Sequence, residues 1–309
     1  MITTIFKKST PINYILVTVL MIVFFLMYQF NIKTFSLTNL QLLEKTVLIG
    51  VLLASLFVLD FVTKKNGLSK DSGYTIFFGL LYFVFFPSVL DNFKLLMANF
   101  FILLAMRRLV SLQTLKLPKE KIFDASLWIF VATLFHFWSI LFMILVFISI
   151  FFHVSRDYRN WILPFIAFFS IAIIFLLASL LFDKSLIDNF FETMKSNYQI
   201  DYFTNNYQNI SLSLYVTIAI FFLSTMVLSL SHRPLILNST YKKIFLWFII
   251  GVIIFIVSPH KNNGLLVFTF APMAILSTNH VEFIQIKWQR ELILFIVIIC
   301  SFFGFFAQL

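Results

Sequence analysis

The sequence predicts an all-α fold, a polytopic transmembrane bundle of about eleven spans. Three observations carry that prediction. Apolar residues make up 61% of the chain and charged ones only 12%, against roughly 25% charged in a soluble domain, so the polar surface needed to stay in water is missing. Apolar runs recur along the whole length, close to the roughly 17 to 25 helical residues that cross a hydrocarbon core about 30 Å thick. The basic residues between the runs gather on one side when the chain is threaded alternately through a bilayer, as the positive-inside rule requires.

The first run, 13–30, follows Lys7 and Lys8 and has no small-residue cleavage site after it. It therefore reads as a retained helix and not as a signal peptide. Runs at 46–63, 74–90 and 95–110 come next, the second of them containing Pro87 and the third ending at Arg107-Arg108. From Asp124 to His153 two readings compete: one long helix, or two short ones, 123–136 and 138–154, turning near His136–Trp138. Charge decides between them. With two helices and an inside N-terminus, 17 of the 23 Lys and Arg residues lie on the cytoplasmic side; with one helix the split falls to 13 against 10. The hairpin wins. Further runs at 161–182, 211–231, 244–258, 264–278 and 291–308 complete a single integral membrane domain over 1–309, N-terminus in and C-terminus out.

Most loops are short, but residues 183–210 form a long, acidic, Tyr- and Asn-rich outer connection. Phe182, Leu186, Phe190, Phe191 and Met194 recur in it at helical spacing, which predicts an amphipathic helix lying in the interface. The loop is either a solvated connector or a lid facing a substrate. The net charge of +10 sits in the loops between helices, where it sets topology and meets anionic lipid heads, not nucleic acid. Cys300 is the lone cysteine, so no disulfide forms within the chain and a thiol nucleophile is not expected. The 44 phenylalanines read as lipid-facing filler.

Ionisable groups at membrane depth are costly and mark candidate sites. Asp60 lies one helical turn before Lys64 and reads as half of a structural ion pair. Asp91 and Lys94 follow Pro87 in a tight outer turn; the carboxylate is a candidate general base or metal ligand, or the N-cap of the next helix, and the cap is preferred. His136 and Trp138 mark the outer reversal between the fifth and sixth runs, a place for a proton shuttle or for residues of the aromatic belt. The outer turn Pro259-His260-Lys261-Asn262-Asn263-Gly264 offers His260, Lys261 and Asn262, with Lys94, as a clamp for a lipid phosphate, Gly264 letting the backbone come close. No metal site is expected. No carboxylate relay of a proton-coupled transporter, repeated halves, His-Glu-x-x-His, Gly-x-Ser-x-Gly or Walker loop occurs.

The middle of the chain, about residues 40–280, resembles the GT-C superfamily of polytopic glycosyltransferases. The resemblance rests on the helix ending Phe61-Val62-Thr63-Lys64-Lys65-Asn66-Gly67, the helix stopping at Pro87, and the helix ending Arg107-Arg108. It continues through the paired short helices, the basic turn Arg156-Asp157-Tyr158-Arg159, and His260-Lys261 before Ala271-Pro272. It implies an enzyme taking sugar from a polyprenyl-phosphate donor, with Asp91 as the second-loop acid and a divalent metal or the polyprenyl phosphate as the only cofactors expected. The superfamily's first-loop acid has no aspartate counterpart, since Glu44 is the only acid of residues 31–45. The opening Met1 to Tyr14 resembles that of a family of Bacteroidota inner-membrane proteins.

The expected function is therefore a non-catalytic or divergent GT-C-like subunit or scaffold in a bacterial inner membrane. Its partners are membrane lipids and another membrane or envelope protein. A glycosyltransferase built on Asp91, and a lipid or small-solute transporter, are the competing expectations.

Overall fold

A computed structural model of the chain describes residues 2–31, 39–183, 185–198, 206–230, 235–259 and 261–309. Every regular element among them is helical, the arrangement in which each peptide group is satisfied within its own segment and needs no water. In chain order the α-helices are α1 (Ile2–Phe6), α2 (Pro11–Asn31), α3 (Asn39–Lys65), α4 (Tyr74–Phe85), α5 (Phe93–Ser111), α6 (Pro118–Phe135) and α7 (Met143–His153). They continue as α8 (Arg159–Leu181), α9 (Ser185–Thr193), α10 (Asn206–Ser229), α11 (Leu235–Val257), α12 (Val267–Phe283) and α13 (Lys287–Gln308).

Among the described residues eight helices are long and apolar enough to cross a membrane: α2, α3, α5, α8, α10, α11, α12 with its leading 3-10 turn, and α13. The other three expected runs are different. The run at 74–90 divides at Phe86, because proline has no N–H to continue a helix and pushes the residue before it out of the helical region. Phe86 has φ −127° and ψ 86°, and a 3-10 turn, Pro87–Asp91, follows it. What remains, α4, has 12 residues and rises about 18 Å. The helix also breaks at His136, which is extended, and a 3-10 turn, Phe137–Phe142, leads into α7. Thus the paired runs of the sequence are two helices, α6 and α7, packed on each other. α6 begins with Pro118 and carries Lys119, Glu120, Lys121 and Asp124 in its first two turns.

The chain packs as two compact units. One comprises Met1–Leu96, Ile200–Arg233 and Asn262–Leu309. Every residue of α4 is buried in it, against α2, α3, α12 and α13, and α10 joins through Tyr215 and Phe222, whose rings meet Tyr82 and Phe78. Tyr82, Phe83, Phe85, Phe86, Tyr215 and Phe270 form one aromatic cluster. Part of the phenylalanine excess is thus core and not lipid-facing filler, because a helix wrapped on every side has no lipid to face. The filler reading does fit α8, where Phe165, Phe168 and Phe169 are exposed.

Two buried tyrosines of this unit are paired across helices. Tyr82 Oη meets Ser277 Oγ and Tyr215 Oη meets Thr269 Oγ1, each at 2.6 Å. Ser277, Thr278 and Asn279 each donate to the carbonyl four residues back, so consecutive polar residues sit inside α12 without unmet donors. The second unit comprises Met97–Gln199 and Pro234–Lys261. In it α6 packs on α8, and α11 on α7.

Helices in lipid associate through close packing, and small residues permit it. A Cβ placed on Gly304 of α13 would lie 2.8 Å from the Phe85 carbonyl oxygen, whereas one on Gly50 of α3 would meet nothing within 4 Å. Gly304→Ala is therefore expected to destabilise by about 1–3 kcal/mol, with Gly50→Ala neutral or slightly stabilising. Thermal unfolding of the two variants in detergent reads the difference.

Candidate functional site

The polar end of the first unit is built by Pro87. The 3-10 turn it starts is held to α2 by Gln29, whose Nε2 donates to the Leu90 carbonyl at 3.4 Å. The cap of α5 is Asn92, whose Oδ1 accepts from Leu95 N at 3.1 Å; the preferred reading of Asp91 as the cap is corrected by one residue. The 3-10 turn ends at Asp91, so its side chain leaves before the free N–H groups of α5 begin. The Asp91 carboxylate pairs instead with the Lys45 ammonium, with both side chains more than a third exposed. Asp91, Asn92 and Lys94 line an open cleft of about 410 Å³ together with Tyr28, Glu44 and Ser88.

The later turn meets this one within the same unit. Asn262 Oδ1 accepts from Leu265 N at 3.2 Å, capping the 3-10 turn Asn263–Leu266, which packs on the turn containing Asp91. Gly264 matters here: a Cβ on it would lie 3.3 Å from Ser88 Oγ and 3.0 Å from Asn262 Oδ1. The structure thus brings Asp91, Lys94 and Asn262 to one end of this unit. His260 lies outside the described residues.

His136, Trp138 and Lys261 belong to the second unit. His136 Nε2 is 3.2 Å from Ser258 Oγ, and Trp138 Nε1 donates to the Lys195 carbonyl at 3.4 Å. Lys261 Nζ donates to the Asn197 carbonyl at 2.7 Å, and Asn197 N to the Val257 carbonyl at 3.3 Å. Backbone of the long connection is therefore strapped across this end by the residues singled out from the sequence. That connection holds α9 as its helix, with Phe190 against the Phe137 and Phe175 rings, while Asn206 to Ile210 begin α10. Asp183, before α9, is held below the usual carboxylate range by Ser185, whose hydroxyl and backbone N–H it accepts.

Asp60 makes the pair its spacing implies. Lys64 Nζ is 2.7 Å from its Oδ2, which also accepts from Tyr14 Oη at 2.7 Å. Sequence reading missed Lys243, which is wholly buried in α11 and donates to the Leu109 carbonyl at 2.8 Å. A periodicity could have found it, since Thr240, Lys243, Ile244 and Trp247 share one helical face and all are buried.

Chemically, the Asp91 end presents a carboxylate already tied to a lysine, a second carboxylate on Glu44 and the cation of Lys94. Among the described residues no group of three or more His, Cys, Asp or Glu gathers to hold a metal ion. The half-exposed pair of Asp91 contributes about 0–1 kcal/mol, so Asp91→Asn is expected to shift stability by less than that. Asp60 is buried, and Asp60→Asn, which leaves a largely buried ammonium without its anion, is expected to cost roughly 3 kcal/mol. Chemical unfolding of the two variants in the same detergent separates them.

No curated protein and no solved structure matches the chain. A family model described as a family of unknown function, DUF6427, matches residues 1–309. The chain, a multi-pass membrane protein by its eight apolar helices, therefore belongs to that family.

Proposed function

We propose that this chain is a non-catalytic scaffold or subunit of an envelope complex in a bacterial inner membrane, of the Bacteroidota kind, with a GT-C-like organisation. In this reading the chain has about eleven membrane-embedded segments, the three shorter ones, α4, α6 and α7, lying within the bundle. The observation that carries the scaffold reading is local satisfaction. The Asp91 carboxylate is held by Lys45, Lys261 by the Asn197 carbonyl, and Asn262 by the N–H it caps. These three groups, offered from the sequence for catalysis or donor binding, thus have partners within the chain, as structural residues of a scaffold would. The partner docks on the 183–198 side of the long connection, where α9 leaves Leu186 and Phe191 exposed.

One observation favours a second reading. The open cleft beside Asp91 also holds Glu44 and Lys94, a carboxylate and a cation within one hollow, and a transferase acting on a polyprenyl-phosphate-linked sugar would use Asp91 as its base. Affinity purification of the full chain from mild detergent, with mass spectrometry of bound proteins and lipids, separates the two. A stoichiometric membrane or envelope protein is expected. A polyprenyl-phosphate species without a protein partner, and transfer activity lost in Asp91→Asn, would overturn the scaffold reading in favour of the enzyme.

The threading that underlies both readings has its own test. In a Cys300→Ala background, intact cells treated with a membrane-impermeant maleimide should label Lys195→Cys and leave Lys70→Cys unlabelled. The reverse pattern would invert the topology.

A further inference from the structure

Within the second unit, the start of α6, the end of α7 and the start of α8 wall an open cleft of about 520 Å³, within the usual range for small-ligand sites. Its charge is unbalanced. Lys119 Nζ lies 3.2 Å from Asp157 Oδ2, and Asp157 Oδ1 accepts from Arg159 N at 3.0 Å. These contacts, the backbone N–H first and Lys119 next, hold the Asp157 carboxyl below the usual carboxylate range, so the one acid of the cleft is ionised and spoken for. Arg156 lines the same cleft. It is exposed and makes no hydrogen bond or ion pair among the described residues.

Behind the wall stands a second basic residue. Lys243 is wholly buried, and its Nζ lies 3.3 Å from Nε2 of His153, a residue of the cleft wall. Its other contact is the Leu109 carbonyl, and no carboxylate pairs with it among the described residues. An ammonium can only donate, so as a cation Lys243 makes Nε2 the acceptor and leaves the ring proton on Nδ1. Arg156 and His153 therefore line a space in which the one carboxylate already answers Lys119.

Asn160 adds a different demand. It is 2% exposed and lines the cleft. Its Nδ2 donates to the Val154 carbonyl at 2.9 Å, which fixes Oδ1 as an acceptor, and that buried oxygen has no partner. A buried acceptor left without a donor is unfavourable, and the cations of the cleft do not reach it. The rim is apolar: Phe151 and Tyr158 are exposed beside it, and Phe152 lines it.

We propose that this cleft binds a phosphate group that itself carries a hydrogen-bond donor. Arg156 and Lys119 take the phosphate oxygens, the Lys243–His153 pair supplies positive charge from behind, and the donor meets Asn160 Oδ1. A phospholipid headgroup with a hydroxyl or a primary ammonium has this chemistry, with its acyl chains leaving over Phe152; so does free dihydrogen phosphate. A choline headgroup does not, since its quaternary nitrogen bears no hydrogen. The site is independent of the scaffold reading, which concerns a protein partner.

The test uses the full chain, delipidated in detergent and titrated with dioleoylphosphatidylglycerol, with dioleoylphosphatidylcholine or with inorganic phosphate, binding being read by native mass spectrometry. Phosphatidylglycerol should bind about tenfold tighter than phosphatidylcholine, and Arg156→Gln should remove that preference, as the loss of one charge-assisted contact predicts. Arg156→Lys should keep most of it. Lys287→Gln removes an exposed cation from α13 and should change nothing. Saturable displacement of the lipid by inorganic phosphate, lost in Arg156→Gln, would uphold the cleft and assign it to a soluble phosphate. Equal binding of the two lipids with no Arg156-dependent binding of phosphate would overturn the proposal. So would an equal loss in Lys287→Gln, which would mean a diffuse basic surface.

Discussion

Twelve helical residues rise about 18 Å, little more than half of a hydrocarbon core, and α4 is such a helix with every residue buried. Much of the first unit follows from enclosing it. In lipid no apolar side chain gains from leaving solvent for protein, so association depends on how closely surfaces fit and on polar groups meeting across them. Gly79 of α4 faces Leu56 and Leu59, and Gly304 of α13 stands against the Phe85 backbone; each is a place where a side chain would hold the helices apart. Tyr82 and Tyr215, whose hydroxyls have no water to meet, are matched by Ser277 and Thr269. The proline that ends the run also starts the turn that carries Asp91, so the candidate site at that end results from the same shortness.

The membrane class and the long helices were legible because composition and run length report them directly. α8 and α13 read as spans and are long and apolar enough to cross a membrane, with broad exposed apolar faces. The run 74–90 could not be told from a lipid-crossing helix, since a helix sheathed by protein and one sheathed by lipid both need unbroken apolar sequence. Pro87 was visible, yet a proline inside a membrane helix often kinks it without ending it. The break at His136 was reached through charge and not through local sequence, because Ser126 to Phe152 offers no Gly or Pro to mark a stop. For the same reason the phenylalanines could not be sorted into core and surface: the sorting depends on which helices have neighbours on every side.

For the sites, sequence was informative about ion pairs along one helix and poor about contacts between turns. Asp60 and Lys64 stand four residues apart, so their pairing is a property of helix geometry alone. Asp91 and Lys45 are 46 positions apart, and nothing local foretells that lysine. The cap is Asn92 and not Asp91 because Asp91 still belongs to the 3-10 turn and α5 begins only at Phe93. Long-range straps such as Lys261 to the Asn197 carbonyl follow from the fold of the long connection, which amphipathic spacing indicated only as a helix.

Lys242 and Lys243 show how one kind of residue serves two ends. Both count equally toward the positive charge that sets topology, yet in α11 one is exposed and its neighbour wholly buried. A buried ammonium is costly unless its charge is answered. A carbonyl oxygen and an imidazole nitrogen supply hydrogen-bond acceptors but no negative charge, so Lys243 is satisfied geometrically and not electrostatically. A neutral polar residue at this position would meet the same two acceptors at less cost. An anion in the adjoining cleft, whose one acid, Asp157, already answers Lys119, would supply the missing charge, whereas a neutral amine would need none. Arg156 is exposed beside that cleft, and phosphate is the commonest anion that a lipid offers.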